Sequence, residues 1–79
     1  MQLSVELSFY PLKDDYKASI LSFIDLLKQE PNIEVISNRI STQIFGEYDE
    51  VMAALSRMMR YSFERYGAAV FVAKFINSD

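Results

Sequence analysis

The 79-residue sequence predicts an α+β fold of βαββαβ order. Three observations carry that prediction: a strictly alternating segment near the N-terminus, two segments with helical apolar spacing, and short β-branched or apolar runs placed between and after them. Leu3, Val5, Leu7 and Phe9 alternate with Ser4, Glu6, Ser8 and Tyr10, so the two sets fall on opposite faces of a strand. Pro11 lacks the N–H that a ladder requires and ends it, and Lys13, Asp14 and Asp15 supply a polar connection with an aspartate able to cap a helix. From Tyr16 onward, Ile20, Phe23, Ile24 and Leu27 recur at helical spacing until Pro31 stops the helix. Ile33–Ser37 and Ile40–Phe45 are rich in β-branched residues and separated by Asn38 and Arg39, which predicts a hairpin. Gly46 ends the third strand, and Glu47, Asp49 and Glu50 cluster where a helix dipole favours negative charge. The apolar stripe of that second helix is expected to be Val51, Met52, Leu55, Met58, Met59, Phe63 and Tyr66, with Gly67 just past its end. Ala68–Ile76 is a nearly continuous apolar run of strand length.

The compact solution for this order is ferredoxin-like: a four-stranded antiparallel sheet of spatial order 4-1-3-2 with both helices on one face. Residues 1–79 are expected to form one such domain, since the chain is too short for a second core. Leu3, Val5, Leu7 and Phe9 should lie under the helices with Ile40, Thr42 and Ile44 of the third strand and Ala69, Phe71, Ala73 and Phe75 of the fourth. The uncovered face then carries Ser4, Glu6, Ser8, Tyr10, Ser41, Gln43 and Phe45, with Val70, Val72, Lys74 and Ile76 along one side.

Composition narrows the chemistry. At 51% hydrophobic, 14% aromatic and a net charge of −3, the chain is too apolar to be disordered. With no Cys and no His, disulfides, thiol or imidazole nucleophile systems and the usual zinc or copper ligand sets are missing, so no catalysis, metal or cofactor is expected. The acidic pairs Asp14-Asp15 and Asp49-Glu50 sit where helices start and read as capping and dipole partners rather than metal ligands. Neither glycine belongs to a phosphate-binding loop. Met52, Met58 and Met59 read as core filling rather than as a binding surface. The eight Lys and Arg are scattered, which argues against nucleic acid, and the N-terminal segment resembles neither a signal peptide nor a membrane span. A cytoplasmic protein is expected. A small domain with an uncovered, partly apolar sheet face and no covalent staple is expected to form a homodimer or a larger even-numbered assembly.

Glu6 is the only acidic residue in the middle of a central strand, and with Ser8, Ser41 and Gln43 it can furnish hydrogen bonds in an otherwise apolar pocket. The plainer reading is a solvated strand face. Lys74 or a second chain is an alternative partner for the Glu6 carboxylate.

The run Val5-Glu6-Leu7-Ser8-Phe9-Tyr10-Pro11-Leu12, followed by Ile40-Ser41-Thr42-Gln43-Ile44-Phe45-Gly46-Glu47 and a Glu50-Val51 helix opening, resembles the YkoF-related family of thiamin- and hydroxymethylpyrimidine-binding domains. The resemblance spans almost the whole chain. Its most specific parts are Ser8, Tyr10 and Pro11 at the end of the first strand, and Ser41, Thr42 and Gly46 on the third. It implies a ferredoxin-like unit that binds thiamin or its hydroxymethylpyrimidine precursor without transforming it, in vitamin salvage or transport. Such proteins commonly carry two units in one chain, so a single unit would complete that geometry by pairing with another chain. A related single-domain thiamin-binding family shares the fold and implies the same ligand class. The candidate ligand-binding residues are Glu6, Ser8, Tyr10, Ser41, Thr42 and Gln43, whose carboxylate, hydroxyl and amide groups complement an aminopyrimidine while Tyr10 or Phe45 covers a ring. The competing reading is a regulatory or protein-interaction module of the same fold whose open sheet face is only an oligomer interface.

Overall fold

The computed structural model describes residues 1–12, 14–38 and 40–79. Its elements follow the predicted order: β1 (Gln2–Pro11), α1 (Tyr16–Lys28), β2 (Ile33–Ser37), β3 (Thr42–Glu47), α2 (Tyr48–Tyr66) and β4 (Ala69–Asn77). The strands form one antiparallel sheet in the order β2-β3-β1-β4, the ferredoxin-like arrangement. β1 is central. Its alternating residues Leu3, Val5, Leu7 and Phe9 are buried, and these four pack with Phe23 and Leu27 of α1, Ile44 of β3, and Val51, Leu55 and Met58 of α2.

Local chemistry sets the helix ends. The side chain of Glu47 accepts hydrogen bonds from the backbone N–H of Asp49 at 2.8 Å and of Glu50 at 3.4 Å, capping α2. Gly67 closes it at φ 75°, a left-handed conformation that glycine adopts without a Cβ penalty. Asp15 occupies the cap position of α1 as expected, but its side chain makes no capping hydrogen bond. Gly46 lies within β3, one residue before its end, and a Cβ there would stand 3.2 Å from both the Asn32 carbonyl oxygen and a Val51 methyl. Its lack of a side chain lets α2 start close against the sheet. Arg57 of α2 reaches Glu30, just past α1, at 2.8 Å and ties the helices together on the outer side.

Three packing expectations are corrected. Ile40 neither belongs to β3 nor is buried under the helices: it is 88% exposed, because the Asn38 side chain accepts hydrogen bonds from the N–H of Ile40 and Ser41 and keeps these two residues out of the strand. Asn38 N–H also bonds the Ser41 carbonyl at 3.1 Å, which pairs these two residues beyond the ends of β2 and β3. Arg39 of the expected hairpin turn, and Lys13 of the expected β1–α1 connection, lie outside the described residues. Met52 and Phe63 sit off the buried stripe, which runs through Val51, Ala54, Leu55, Met58 and Ser62. Met52 is about 100° round the helix from Val51. Ser62 enters the core by donating to the Met58 carbonyl one turn back, at 2.8 Å. Phe75 lies on the helix side of β4 by alternation but is 54% exposed, since neither helix reaches that far over the edge strand.

This packing makes the cost of truncation depend on location. Ile44→Ala, at a fully buried position between sheet and helices, should lose about 2–5 kcal/mol in urea denaturation, whereas Leu21→Ala on the exposed side of α1 should change stability by no more than about 0.5 kcal/mol.

Candidate functional site

The site follows from unequal strand lengths. β1 has ten residues and β3 six, and their ladder stops at Leu7 opposite Thr42. β1 continues through Pro11 beside β4 alone. Hydrogen bonds at both ends of the sheet fix which backbone groups point where. Tyr48 N–H bonds the Met1 carbonyl, while Ser78 N–H bonds the Gln2 carbonyl and Leu12 N–H bonds the Ala68 carbonyl. By the alternation of an antiparallel ladder, odd residues of β1 turn their N–H and C=O toward β3 and even residues turn theirs toward β4. The N–H and C=O of Phe9 and the C=O of Pro11 therefore face the space that β3 leaves vacant.

A cleft of about 510 Å³ occupies that space. Its walls are the end of β1 from Leu7 onward together with Leu12, the start of α1 at Tyr16 and Ile20, and Asn38, Ile40, Ser41 and Thr42. Phe9 and Phe23, with ring centroids 4.8 Å apart, contribute to its lining and bind it to the core. No charged side chain lines it among the described residues. Apolar walls with a few hydroxyl, amide and main-chain groups are the usual makeup of a small-ligand site.

The six candidate residues separate into two groups. Ser8, Tyr10, Ser41 and Thr42 all line the cleft. Thr42 is buried on the helix side of β3, where its hydroxyl lies 3.3 Å from that of Ser37. Glu6 and Gln43 are direct cross-strand partners on the open face and do not line the cleft. Glu6 also faces Lys74 of β4, with 3.5 Å between Oε1 and Nζ, so the lysine meets its charge on the sheet surface. Tyr16, Ile20 and Asn38 join the cleft without being candidates on sequence grounds. Asn38 had a signal, its place before a run resembling a strand, but Tyr16 and Ile20 read only as helix residues.

On the open face the register aligns Ile36, Gln43, Glu6 and Lys74 in one row across all four strands. Val70, Val72 and Ile76 are about half exposed on the β4 side, as the alternation predicts, and Ile36 adds a similar apolar group on the β2 side. Among the described residues no group of three or more acidic, His or Cys side chains could hold a metal, and no helix is long and apolar enough to cross a membrane.

Comparison with known proteins agrees with this architecture. The model of the YKOF-related family matches residues 2–73. A protein of Streptococcus pneumoniae superposes with a TM-score of 0.86 at 20% identity, covering 100% of this chain and 89% of that one. A hypothetical protein of Methanocaldococcus jannascii gives 0.82 at 19% identity, covering 99% and 81%. A candidate thiamine biosynthesis/salvage protein of Thermotoga maritima gives 0.85 at 16% identity, covering 99% and 85%. At these identities the structural likeness establishes the fold. No curated protein matches the sequence.

The Glu6–Lys74 pair is too exposed, at 40% and 75% of the two side chains, to anchor the fold. A double-mutant cycle of Glu6→Gln and Lys74→Met in urea denaturation should give a coupling of no more than about 1 kcal/mol.

Proposed function

Because the chain belongs to the YkoF-related family, we propose that it binds thiamin or its hydroxymethylpyrimidine precursor without transforming it, in vitamin salvage or transport. The observation that carries this reading is the cleft where β1 outruns β3. It gathers Ser8, Tyr10, Ser41 and Thr42, the four candidates that also lie in the family-like motifs. An aminopyrimidine presents an amine donor beside a ring-nitrogen acceptor. The adjacent C=O and N–H groups of Phe9 are complementary to such an edge, and the hydroxyls of Ser8 and Ser41 can serve the remaining polar atoms. Tyr10, Tyr16 and the Phe9–Phe23 cluster provide aromatic surface for the ring. Glu6 and Gln43 enter this reading from the open face, where a cationic thiazolium would meet a carboxylate. The protein acts in the cytoplasm as a binder, with no chemical step.

Calorimetric titration with thiamin, hydroxymethylpyrimidine and thiamin phosphates tests the proposal. Binding of one vitamer is expected, with Ser8→Ala and Ser41→Ala each weakening it by about 0.5–1.5 kcal/mol, the net worth of a neutral hydrogen bond. Glu6→Gln separates the two groups of candidates. An unchanged affinity places the ligand in the cleft alone, and a loss of roughly 1–3 kcal/mol brings the open-face carboxylate into the contact. No heat with any vitamer would leave the interaction module as the better reading.

The same proposal includes self-association. Four half-exposed aliphatic groups on the open face, Ile36, Val70, Val72 and Ile76, need cover. Sedimentation at micromolar concentration should show an even-numbered assembly and no dominant monomer. A stable monomer would remove the second chain from the site.

A further inference from the structure

The polar side chains of the cleft differ in how far they can discriminate between ligand atoms. Ser8, Tyr10, Tyr16, Ser41 and Thr42 present hydroxyls, and a hydroxyl that turns its proton donates or accepts as the ligand requires. They favour a polar atom without dictating its kind. Asn38 is different, the one amide side chain among the described residues that line the cleft. Its Oδ1 is already committed, accepting from the N–H of Ile40 at 2.9 Å and of Ser41 at 3.0 Å. Those two backbone donors settle which end of the amide is oxygen. Nδ2 is left as a donor, and among the described residues no group accepts from it. The amide cannot turn over to offer its oxygen to a ligand without giving up both backbone hydrogen bonds.

We infer that Asn38 is the specificity-determining residue of the cleft: Nδ2 donates to an acceptor atom of the ligand and turns away a ligand that presents a donor there. This role rests on the cleft being the vitamer site, and it specifies the protonation state that the site takes. An aminopyrimidine carries two ring nitrogens and one amine. With the amine and its neighbouring ring nitrogen on the main-chain groups of Phe9, the second ring nitrogen lies on the far side of the ring, toward the wall of Asn38, Ile40 and Ser41. In the neutral ring that nitrogen can only accept. Once protonated it can only donate, and it would meet the Asn38 amide hydrogen against hydrogen. The cleft therefore takes the neutral ring, because a site built for one hydrogen-bonding pattern leaves groups unpaired when the pattern is reversed.

Asn38→Asp separates the donor from the backbone contacts. A carboxylate accepts from the N–H of Ile40 and Ser41 as the amide oxygen does, so thermal unfolding should match the parent chain, but it has no proton to give. Calorimetric titration with hydroxymethylpyrimidine at neutral pH should show an affinity lower by about tenfold or more. As the pH falls through the titration of the free pyrimidine, the parent chain should lose affinity. The variant should gain it, since the protonated ring nitrogen then donates to the carboxylate. The other titratable side chains among the described cleft residues are Tyr10 of β1 and Tyr16 of α1. In the parent chain the side-chain NH2 resonances of Asn38 should move downfield on adding hydroxymethylpyrimidine, a readout that needs no variant. Equal affinities of parent and Asn38→Asp at neutral pH, parallel pH profiles, or Asn38 resonances that stay in place while others in the cleft shift would overturn the inference. Affinity lost in Asn38→Ala and fully restored in Asn38→Asp would overturn it too, since the side chain would then only hold the backbone of Ile40 and Ser41. No heat with the parent chain would sink the vitamer reading, and this role with it, so the two failures are told apart.

Discussion

Everything in this structure depends on β1 serving two ladders and two faces at once. Its odd residues bury their side chains under the helices and give their backbone groups to β3, and its even residues do the reverse on both counts, facing the open side and bonding β4. One period of two therefore specifies core, open face and both strand pairings. A register slip of one residue would exchange Leu3, Val5, Leu7 and Phe9 for Ser4, Glu6, Ser8 and Tyr10, which no helix packing could tolerate.

The cleft arises from the same strand. Where β3 stops, the odd positions of β1 keep their orientation but lose their partners, so Phe9 offers a hydrogen-bonding edge while its ring remains fixed in a cluster with Phe23 and Phe71. The main-chain groups of Phe9 are thereby mounted on a strand of the central sheet, and Asn38, Ile40, Ser41 and Thr42 form the opposite wall.

The fold was legible because β1 is half-buried and its alternation is strict, and because Pro31 and the acidic run at Glu47–Glu50 mark helix boundaries by known local chemistry. Ile40 misled because its β-branched side chain resembles a strand residue, while the competing signal, the Asn38 side chain, acts on the backbone two and three residues on. Phe63 and Phe75 misled for a different reason. Their apolar character is real, but whether the sheet covers Phe63 of α2 and a helix covers Phe75 of β4 depends on how far the helices and the edge strand overlap, which no local pattern encodes. The motif residues Ser8, Tyr10, Ser41 and Thr42 were legible as a set, whereas their meeting place required the difference in length between β1 and β3. Glu6 stood out as an acid on a central strand, and only the β1–β4 register shows which lysine it meets.

The pairing of the first strand with the last has a consequence for synthesis. β1 leaves the ribosome before the five elements that follow it, yet its even-numbered backbone groups can be satisfied only when residues 69–77 have emerged. Pairing between residues so distant in sequence is slow to form, because a long loop must close before any contact rewards it. The nascent chain can assemble β1, α1, β2, β3 and α2 while one side of β1 stays open. During that interval the growing chain presents an unpaired strand edge to its surroundings, the kind of surface on which partly folded chains associate wrongly.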